Sequence, residues 1–541
     1  VGTAMRAMAE HGPGLPRGLG SLMGAEHAAR GFEIDFAPVL DVITSPDNPV
    51  IGDRGCAARA STVASLAVAF AAGLAEAGLL ACGKHFPGHG DTDKDSHKTL
   101  PMINHTGSRL DSVEMYPFKQ LMENGLSSVM IAHLYVPALV DEFNIPTTLS
   151  NTVVTELLKD SLRFEGLVVT DALNMKGVAD FDEPGEIDLA AFLAGNDILL
   201  ISEDVPKASE KIIQAYNDGL ITEERLKHSV RKILYAKYKA GLDHFQPVDT
   251  SYLYEDLNSI KNEVLANKLY EAAMTVIKND RGVIPVRDLE TSKIAYVHFG
   301  DDEGEDFYDR LNRYTKVDAV SAESLDGLLE KLKDYNLVII GYHQANDSPW
   351  DGYKMDQRQQ AWLYEIARKN RVILNVFTSP YALLDLKTTA NFEAIQVAYQ
   401  NSELAQDKAA EVIFGGICAD GKLPVTAGDE FPEGTGYKTQ DLGRFSYGLP
   451  ESVGMNSYKL KKIDSLVNAA ITEKMTPGVQ VLVARKGKVI YENYAGYHTY
   501  KKEHPVKSTD VYDIASLTKI LATLPLVMEL VEKDELDFNT T

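Results

Sequence analysis

Cysteine is nearly missing from this chain, with only Cys56, Cys82 and Cys418 among 541 residues. An odd number of widely spaced cysteines builds neither a disulfide framework nor a CxxC zinc or redox site, so the three read as small buried hydrophobes. Positive charge is also in deficit. Lys and Arg number 54 against 78 Asp and Glu, a formal net charge of −24, and such a surface repels phosphate backbones and anionic lipid alike. Nucleic acid is therefore not an expected partner. No stretch approaches the roughly 20 apolar residues of a membrane span, and the opening VGTAMRAMAEHG lacks the basic end and apolar middle of a signal peptide. Internal repeats and low-complexity tracts are missing as well.

What is present is globular material. Apolar residues make up 45% and charged residues 24%, with 25 Tyr and 18 Phe to bury, which excludes a disordered or fibrous chain. Because a single core stops growing near roughly 250 to 300 residues, two or three domains are expected.

Between residues 33 and 202 apolar, β-rich runs (EIDFAPVLDV, LLACGKHF, SSVMIAHLYV, FEGLVVTDAL, GNDILLIS) alternate with amphipathic helical stretches such as 61–78 and 110–125. Strand followed by helix, repeated, predicts parallel strands with crossover helices, and hence an α/β domain over 1–245. Polar and small residues cluster just past the strand ends, where a barrel or doubly wound sheet places its chemistry. Five such strands are visible and the chain opens in a helix-like stretch, so an eight-stranded TIM-type barrel is expected to lack its first two units and its N-terminus. A helical stretch (205–278) leads to a second alternating region (KIAYVHFG, YNLVIIGYH, RVILNVFTSP, EAIQVAYQ), read as an α/β sandwich over 280–430. Gly, Pro and charge mark 429–452 as a linker. From 451 to 541 the pattern becomes helix, hairpin, helix.

Two segments carry chemistry. CGKHFPGHGDTDKDSHKTLPM sets His85, His89 and His97 beside Asp91, Asp93 and Asp95. A calcium loop wants Gly at its sixth place and Glu at its twelfth, where Ser96 and Met102 stand, and no zinc-ligand spacing appears. Polar surface shaped by Pro87, Gly88 and Gly90 is the other reading. GLVVTDALNM delivers Asp171 at the end of an apolar strand, where a carboxylate attacks an anomeric carbon, binds a cation or merely caps a helix.

Together KHFPGHGDTDKDSH, APVLDV, PDNPVIGDR, VMIAHL and VVTDALNM resemble the motifs of glycoside hydrolase family 3, in its branch of bacterial β-N-acetylglucosaminidases, and AAEVIFGGICADGKLPVTAG resembles the second domain of larger members. The resemblance implies a retaining β-N-acetylhexosaminidase acting on N-acetylglucosamine-containing carbohydrate, without metal or cofactor. It implies Asp171 as nucleophile, His97 as acid/base oriented by Asp95, and Arg54, Lys84, His85 and Met175 as substrate-binding residues. Most retaining glycosidases raise the pKa of a carboxyl group for the acid role. A histidine, with a reference pKa of about 6.5, needs little tuning, and Asp95 steadies its imidazolium. Being two apart on a loop rich in Gly and Pro, Asp95 and His97 are candidates to swing over bound sugar. The chain departs from the pattern after IGDR, where Gly55, Cys56 and Ala57 replace the usual Ser and aromatic. A phosphorylase on the same scaffold is the nearest alternative; a silent sugar-docking barrel, alone or joined to a serine peptidase, is another.

In the last segment IASLTKILAT places Ser516 and Lys519 one turn apart on a predicted helix, where the amine activates the hydroxyl. With PGVQVLVARKGKVIYENYAGY before it, the order over 455–541 resembles the start of the serine β-lactamase and penicillin-binding-protein fold. The YxN and KTG-like elements are not seen, so this site is expected to be incomplete and the domain cut short; Ser516 as an ordinary helix residue is the alternative. The same resemblance points to the periplasm or cell envelope, with the cytoplasm as alternative. Oligomeric state is not legible.

Overall fold

The computed structural model describes residues 12–345 and 353–539. They fall into two compact units, Val1–Ser446 and Tyr447–Thr541.

The first unit begins with α1 (Gly14–Ala29), β1 (Ile34–Asp35), α2 (Ala60–Glu76), β2 (Leu80–Phe86), α3 (Tyr116–Glu123), β3 (Ser128–Ile131) and β4 (Leu167–Thr170). The four strands form a parallel sheet in chain order, with register Cys82↔Ser128 and Ser128↔Leu167. Every residue of β3 and β4 is buried, the mark of strands covered on both faces. The helix α2 turns Val63, Leu66, Ala67, Phe70 and Leu74 inward at three- and four-residue spacing. It lies against α1 so closely that a Cβ on Gly20 or Gly73 would stand 2.1 Å from the backbone oxygen of Phe70 or Arg17, respectively.

Two expected elements are shorter than their sequences suggest. EIDFAPVLDV keeps only Ile34–Asp35 as strand, because Pro38 has no N–H for the ladder and pairing resumes as a single Val39↔Lys84 bridge. GNDILLIS contributes one parallel bridge, Val169↔Ile198. The expected helix over 110–125 is broken as well, into a π-type turn at Leu110–Glu114 and then α3, where Pro117 takes a first-turn position that needs no N–H.

Helices α4 (Glu186–Ala194), α5 (Val205–Asn217), α6 (Glu223–Lys239) and α7 (Ile260–Ala273) lead to a second sheet. It comprises β5 (Thr275–Asn279), β6 (Ile294–Gly300), β7 (Val317–Ala319), β8 (Leu337–His343), β9 (Val372–Phe377) and β10 (Ala394–Val397). Their order is β5-β10-β9-β8-β6-β7, parallel except for β5, with α8 (Glu305–Asn312), α9 (Leu325–Leu332) and α10 (Gln357–Lys369) between strands and α11 (Glu403–Ile413) after β10. The segment expected as a linker is not one over 429–446. Phe431 is buried, Tyr437 pairs with Val276, and the Arg444 guanidinium donates to the carbonyls of Val286, Phe414 and Arg287. Its Gly and Pro content removes regular structure, while backbone and guanidinium bonds still fasten it to the sandwich.

The second unit holds α12 (Lys462–Thr472), the antiparallel hairpin β11 (Gly478–Arg485) and β12 (Lys488–Gly496), and α13 (Leu524–Glu532). Lys486 and Gly487, both at positive φ, make the tight turn between the strands.

Candidate functional site

Asp171 follows β4 directly. Its N–H donates to the Ile131 carbonyl of β3 (3.0 Å), which carries the residue past the sheet's C-terminal edge. Its carboxylate accepts the Ala172 N–H (2.8 Å). Burial alone would raise the pKa of this group. The facing His85 and His133, the Ala172 N–H and Lys84 outweigh burial and hold the carboxyl below the usual carboxylate range. Lys84 is in turn held below its ordinary value, by burial first and then by the charge of Arg54. Arg54 is exposed at the end of the Gly52–Arg54 turn and donates to the Val50 carbonyl (2.6 Å).

His85 is fixed from behind. Asp41, wholly buried, meets His85 Nδ1 at 2.7 Å and accepts the backbone N–H groups of His85 (3.2 Å) and His89 (2.7 Å). Burial works against ionisation of Asp41, but the His85 charge and hydrogen bond, together with His89, keep its pKa low. An ionised Asp41 makes Nδ1 the protonated nitrogen and leaves Nε2 for a ligand.

The loop after β2 is stitched rather than loose. Asn48 donates to the carbonyls of His89 (2.8 Å) and Gly90 (3.1 Å), and its Oδ1 accepts the N–H groups of Val50 (3.0 Å) and Ile51 (2.8 Å). His89 is buried between Thr92 Oγ1 (2.9 Å) and Ser96 Oγ (3.0 Å). Burial, then the nearby His85, pushes its pKa down to about 4. Further along, Asp95 Oδ1 accepts both the backbone N–H (2.9 Å) and the ring Nδ1–H (2.8 Å) of His97. Asp95 is 7% exposed while the His97 side chain is 51% exposed, so a buried carboxylate presents an accessible imidazole.

Two contacts tie the loop and β3 to the segment that follows Asp171. The Ser96 carbonyl accepts the Gly177 N–H (3.0 Å) from the turn Lys176–Ala179. His133, at the end of β3, donates from Nε2 to the Ala172 carbonyl (2.9 Å), pairs through Nδ1 with Thr148 Oγ1 (2.7 Å), and feels the charges of both Asp171 and His97. Met175 is buried at the head of the same turn. The structure thus gathers Asp171, Lys84, His85, Arg54 and the Asp95–His97 pair at one sheet edge. Among the described residues no group of three or more His, Cys, Asp or Glu side chains is arranged to hold a metal ion.

Asp41, Asn48 and His133 receive no role from the sequence, and His89 only that of a candidate metal ligand. Asp41 and His133 carried a usable signal, a polar residue ending an apolar run, as Asp171 does. In the second unit Ser516 and Lys519 are exposed, with Nζ to Oγ at 3.3 Å. They lie in a 3₁₀ turn and a π-type turn ahead of α13, not in one regular helix.

Residues 4–236 match the family model described as Glycosyl hydrolase family 3 N terminal domain. The chain carries a family 3 glycoside hydrolase domain. Residues 463–541 match the Beta-lactamase family model. Beta-hexosaminidase A of Pseudoalteromonas piscicida is 27% identical over 459 residues, 75% of this chain and 75% of that protein. Beta-hexosaminidase of Idiomarina loihiensis is 37% identical over 188 residues, 35% of this chain; the chain spans 55% of the length of that relative. Among solved structures, a glycoside hydrolase family 3 beta-N-acetylglucosaminidase from Paenibacillus sp. is similar with a TM-score of 0.65 and 28% identity, over 79% of this chain and 81% of that one. The edge bearing Asp171 therefore belongs to the family 3 glycoside hydrolase domain.

Proposed function

We propose that the chain is a retaining β-N-acetylhexosaminidase that removes terminal N-acetyl-β-hexosamine units from N-acetylglucosamine-containing glycans, peptidoglycan fragments among them. Asp171 attacks the anomeric carbon and forms a glycosyl ester. His97 protonates the departing oxygen, then takes a proton from the water that cleaves the ester, with Asp95 fixing its tautomer. Arg54, Lys84, His85 and Met175 hold the sugar. The observation that carries this reading is a carboxylate kept ionised by its neighbours at a strand end, on the same edge as an accessible, carboxylate-backed imidazole. The names of the relatives support the substrate class.

In the same reading the first sheet is part of a TIM-type barrel over 1–245, followed by an α/β sandwich over 280–430 and a serine β-lactamase-like segment over 451–541. That segment favours work in the cell envelope.

The test is hydrolysis of p-nitrophenyl N-acetyl-β-glucosaminide followed by NMR. The first-formed sugar is expected to be the β-anomer, and Asp171→Ala to abolish release. An α-anomer rules out the retaining route, and a sugar 1-phosphate formed only when phosphate is added replaces hydrolysis by phosphorolysis.

A further inference from the structure

The loop after β2 carries a second Asp–His pair, and the proposed reaction has no use for it. His105 Nε2 meets Asp91 Oδ2, 14 positions away in the chain. The two side chains are 29% and 24% exposed, too wet to serve as core and too enclosed for a loose surface pair. Asp95 and His97 lie on the stretch that this pair brackets.

The bracketed stretch has two limbs, and they are fastened to different things. On the entry limb Thr92 Oγ1 and Ser96 Oγ both meet the buried His89 ring, whose backbone N–H is held by Asp41. The exit limb runs along the segment after β3: the Tyr135 N–H donates to the Pro101 carbonyl (2.8 Å), and the Tyr135 carbonyl accepts the Ile103 N–H (2.9 Å). Between these fastenings His97, Lys98 and Thr99 are all exposed. Behind His105 the chain is firm. Thr106 Oγ1 accepts the Arg109 N–H (3.3 Å), the Arg109 guanidinium pairs with the buried Glu114 (3.1 Å), and a Cβ on Gly88 would stand 2.7 Å from the Glu114 Cβ. His105 is therefore anchored close to where the loop leaves β2, and its bond to Asp91 ties the entry limb to that anchor.

We propose that Asp91 and His105 are positioning residues: they clamp the two limbs at a fixed spacing and so hold His97 where it meets the glycosidic oxygen. This rests on the hydrolase reading and deepens it. A loop whose ends are joined has fewer conformations to lose, and proton transfer in the transition state falls steeply when the donor drifts from its place. The imidazole N–H donating to a carboxylate is directional, so it sets angle as well as distance. The clamp acts through His97 alone, because Asp171, Lys84 and His85 take their places from β2, β4 and Asp41.

Two readouts on the full chain test the clamp. Hydrogen exchange followed by mass spectrometry should show the amides of residues 92–104 exchanging about tenfold faster in His105→Ala, with the rest of the chain unchanged. In the same variant kcat/KM for N,N′-diacetylchitobiose should fall about tenfold, while that for p-nitrophenyl N-acetyl-β-glucosaminide, whose leaving group needs no proton, holds within about twofold. His105→Gln, which still offers an N–H to Asp91, is expected to restore most of both. Unchanged exchange, equal losses on the two substrates, or a His105→Gln variant no better than His105→Ala overturns the clamp. Turnover of neither substrate by the unaltered chain sinks the hydrolase reading, and exchange alone then decides whether the clamp exists.

Discussion

Each of the two sheets of the first unit sets a buried histidine and acidic residues at the C-terminal ends of its parallel strands, and the two ends differ in what is left over. His343, which ends β8, has both ring nitrogens engaged, Nδ1 with Asn401 Oδ1 (2.8 Å) and Nε2 with the Tyr296 hydroxyl (2.9 Å). Because Asn401 Oδ1 accepts from Nδ1, the neutral ring takes the Tyr296 proton at Nε2; the Tyr296 oxygen also lies 2.8 Å from the Glu303 carbonyl, Asn401 donates to Asp302 (2.6 Å), and Gln406 donates to Asn401 (2.8 Å). The imidazole stacks on Phe377 at 4.4 Å. This network closes on itself. Among the described residues His85 at the first sheet commits one nitrogen, to Asp41, and the Asp171 carboxylate takes a single protein hydrogen bond with Lys84, His85 and His133 around it. A closed network holds a fold together, whereas unfilled hydrogen-bonding capacity beside a buried charge is what a substrate can use.

The comparison breaks if histidines at the two edges matter equally to turnover. With disaccharide substrates His97→Ala is expected to lower kcat by about 10² to 10⁴, and with activated aryl leaving groups far less, since only the former need a proton. His343→Ala should leave the kcat of folded protein unchanged. Equal losses on both leaving-group classes would make His97 structural. Next in size is Asp41→Asn, which keeps the shape of the side chain but removes the charge that sets the His85 tautomer. A fall of about 10- to 100-fold in kcat/KM, with a displaced acid limb in the pH profile, is expected by analogy with the carboxylates that orient ligating imidazoles elsewhere. An unmoved pH profile would reduce Asp41 to packing.

Much of this contrast was legible in the sequence, and the rest was not for identifiable reasons. Parallel strands covered on both faces are continuously apolar, so KIAYVHFG, YNLVIIGYH and RVILNVFTSP stand out, whereas β5 and β7 (TVIKN and VDA) are short, mixed edge strands with no such signature. GNDILLIS reads as a strand, but its Asp197 carboxylate takes the Val168 N–H (3.0 Å) and faces Lys159 and Lys232, so side-chain bonds replace part of a ladder. Asp171 is announced by its strand end, whereas the Asp95–His97 pair was found through the resemblance of its loop to the family motif. Asp41 and His133 act on partners 44 and 39 positions away, a relation that only the fold creates.

The closed network is sharpened by a substitution that empties it. His343→Leu removes one hydrogen bond each from Tyr296 and Asn401, which keep the Glu303 carbonyl and Gln406 as partners, and each lost bond costs about 0.5 to 1.5 kcal/mol. Urea denaturation should show a loss of about 2 kcal/mol, with kcat untouched in the folded fraction. A stability equal to that of the parent would mean that water or neighbouring groups replace the ring, and that the network is less closed than its geometry implies.

In one effect the two edges should agree. Burial is the first cause that pushes His89 at one edge and His343 at the other down to about 4. Unfolded histidine titrates near about 6.5, so between these values the unfolded chain binds protons that the folded chain refuses. Stability contributed by the two neutral rings is therefore complete above about pH 6.5 and is lost as pH falls toward about 4, at up to about 1.4 kcal/mol per pH unit for each ring. His133 and His228, also depressed chiefly by burial, steepen the same window. Asp41 and Asp171, whose pKa values are lowered, give way only at more acid pH. Stability measured by denaturant against pH should thus slope downward from neutrality to about pH 4, and His89→Gln and His343→Gln should each flatten that slope by a similar amount. If His343→Gln flattens it and His89→Gln does not, His89 is charged in the folded protein, and the first edge holds a second proton donor beside His97.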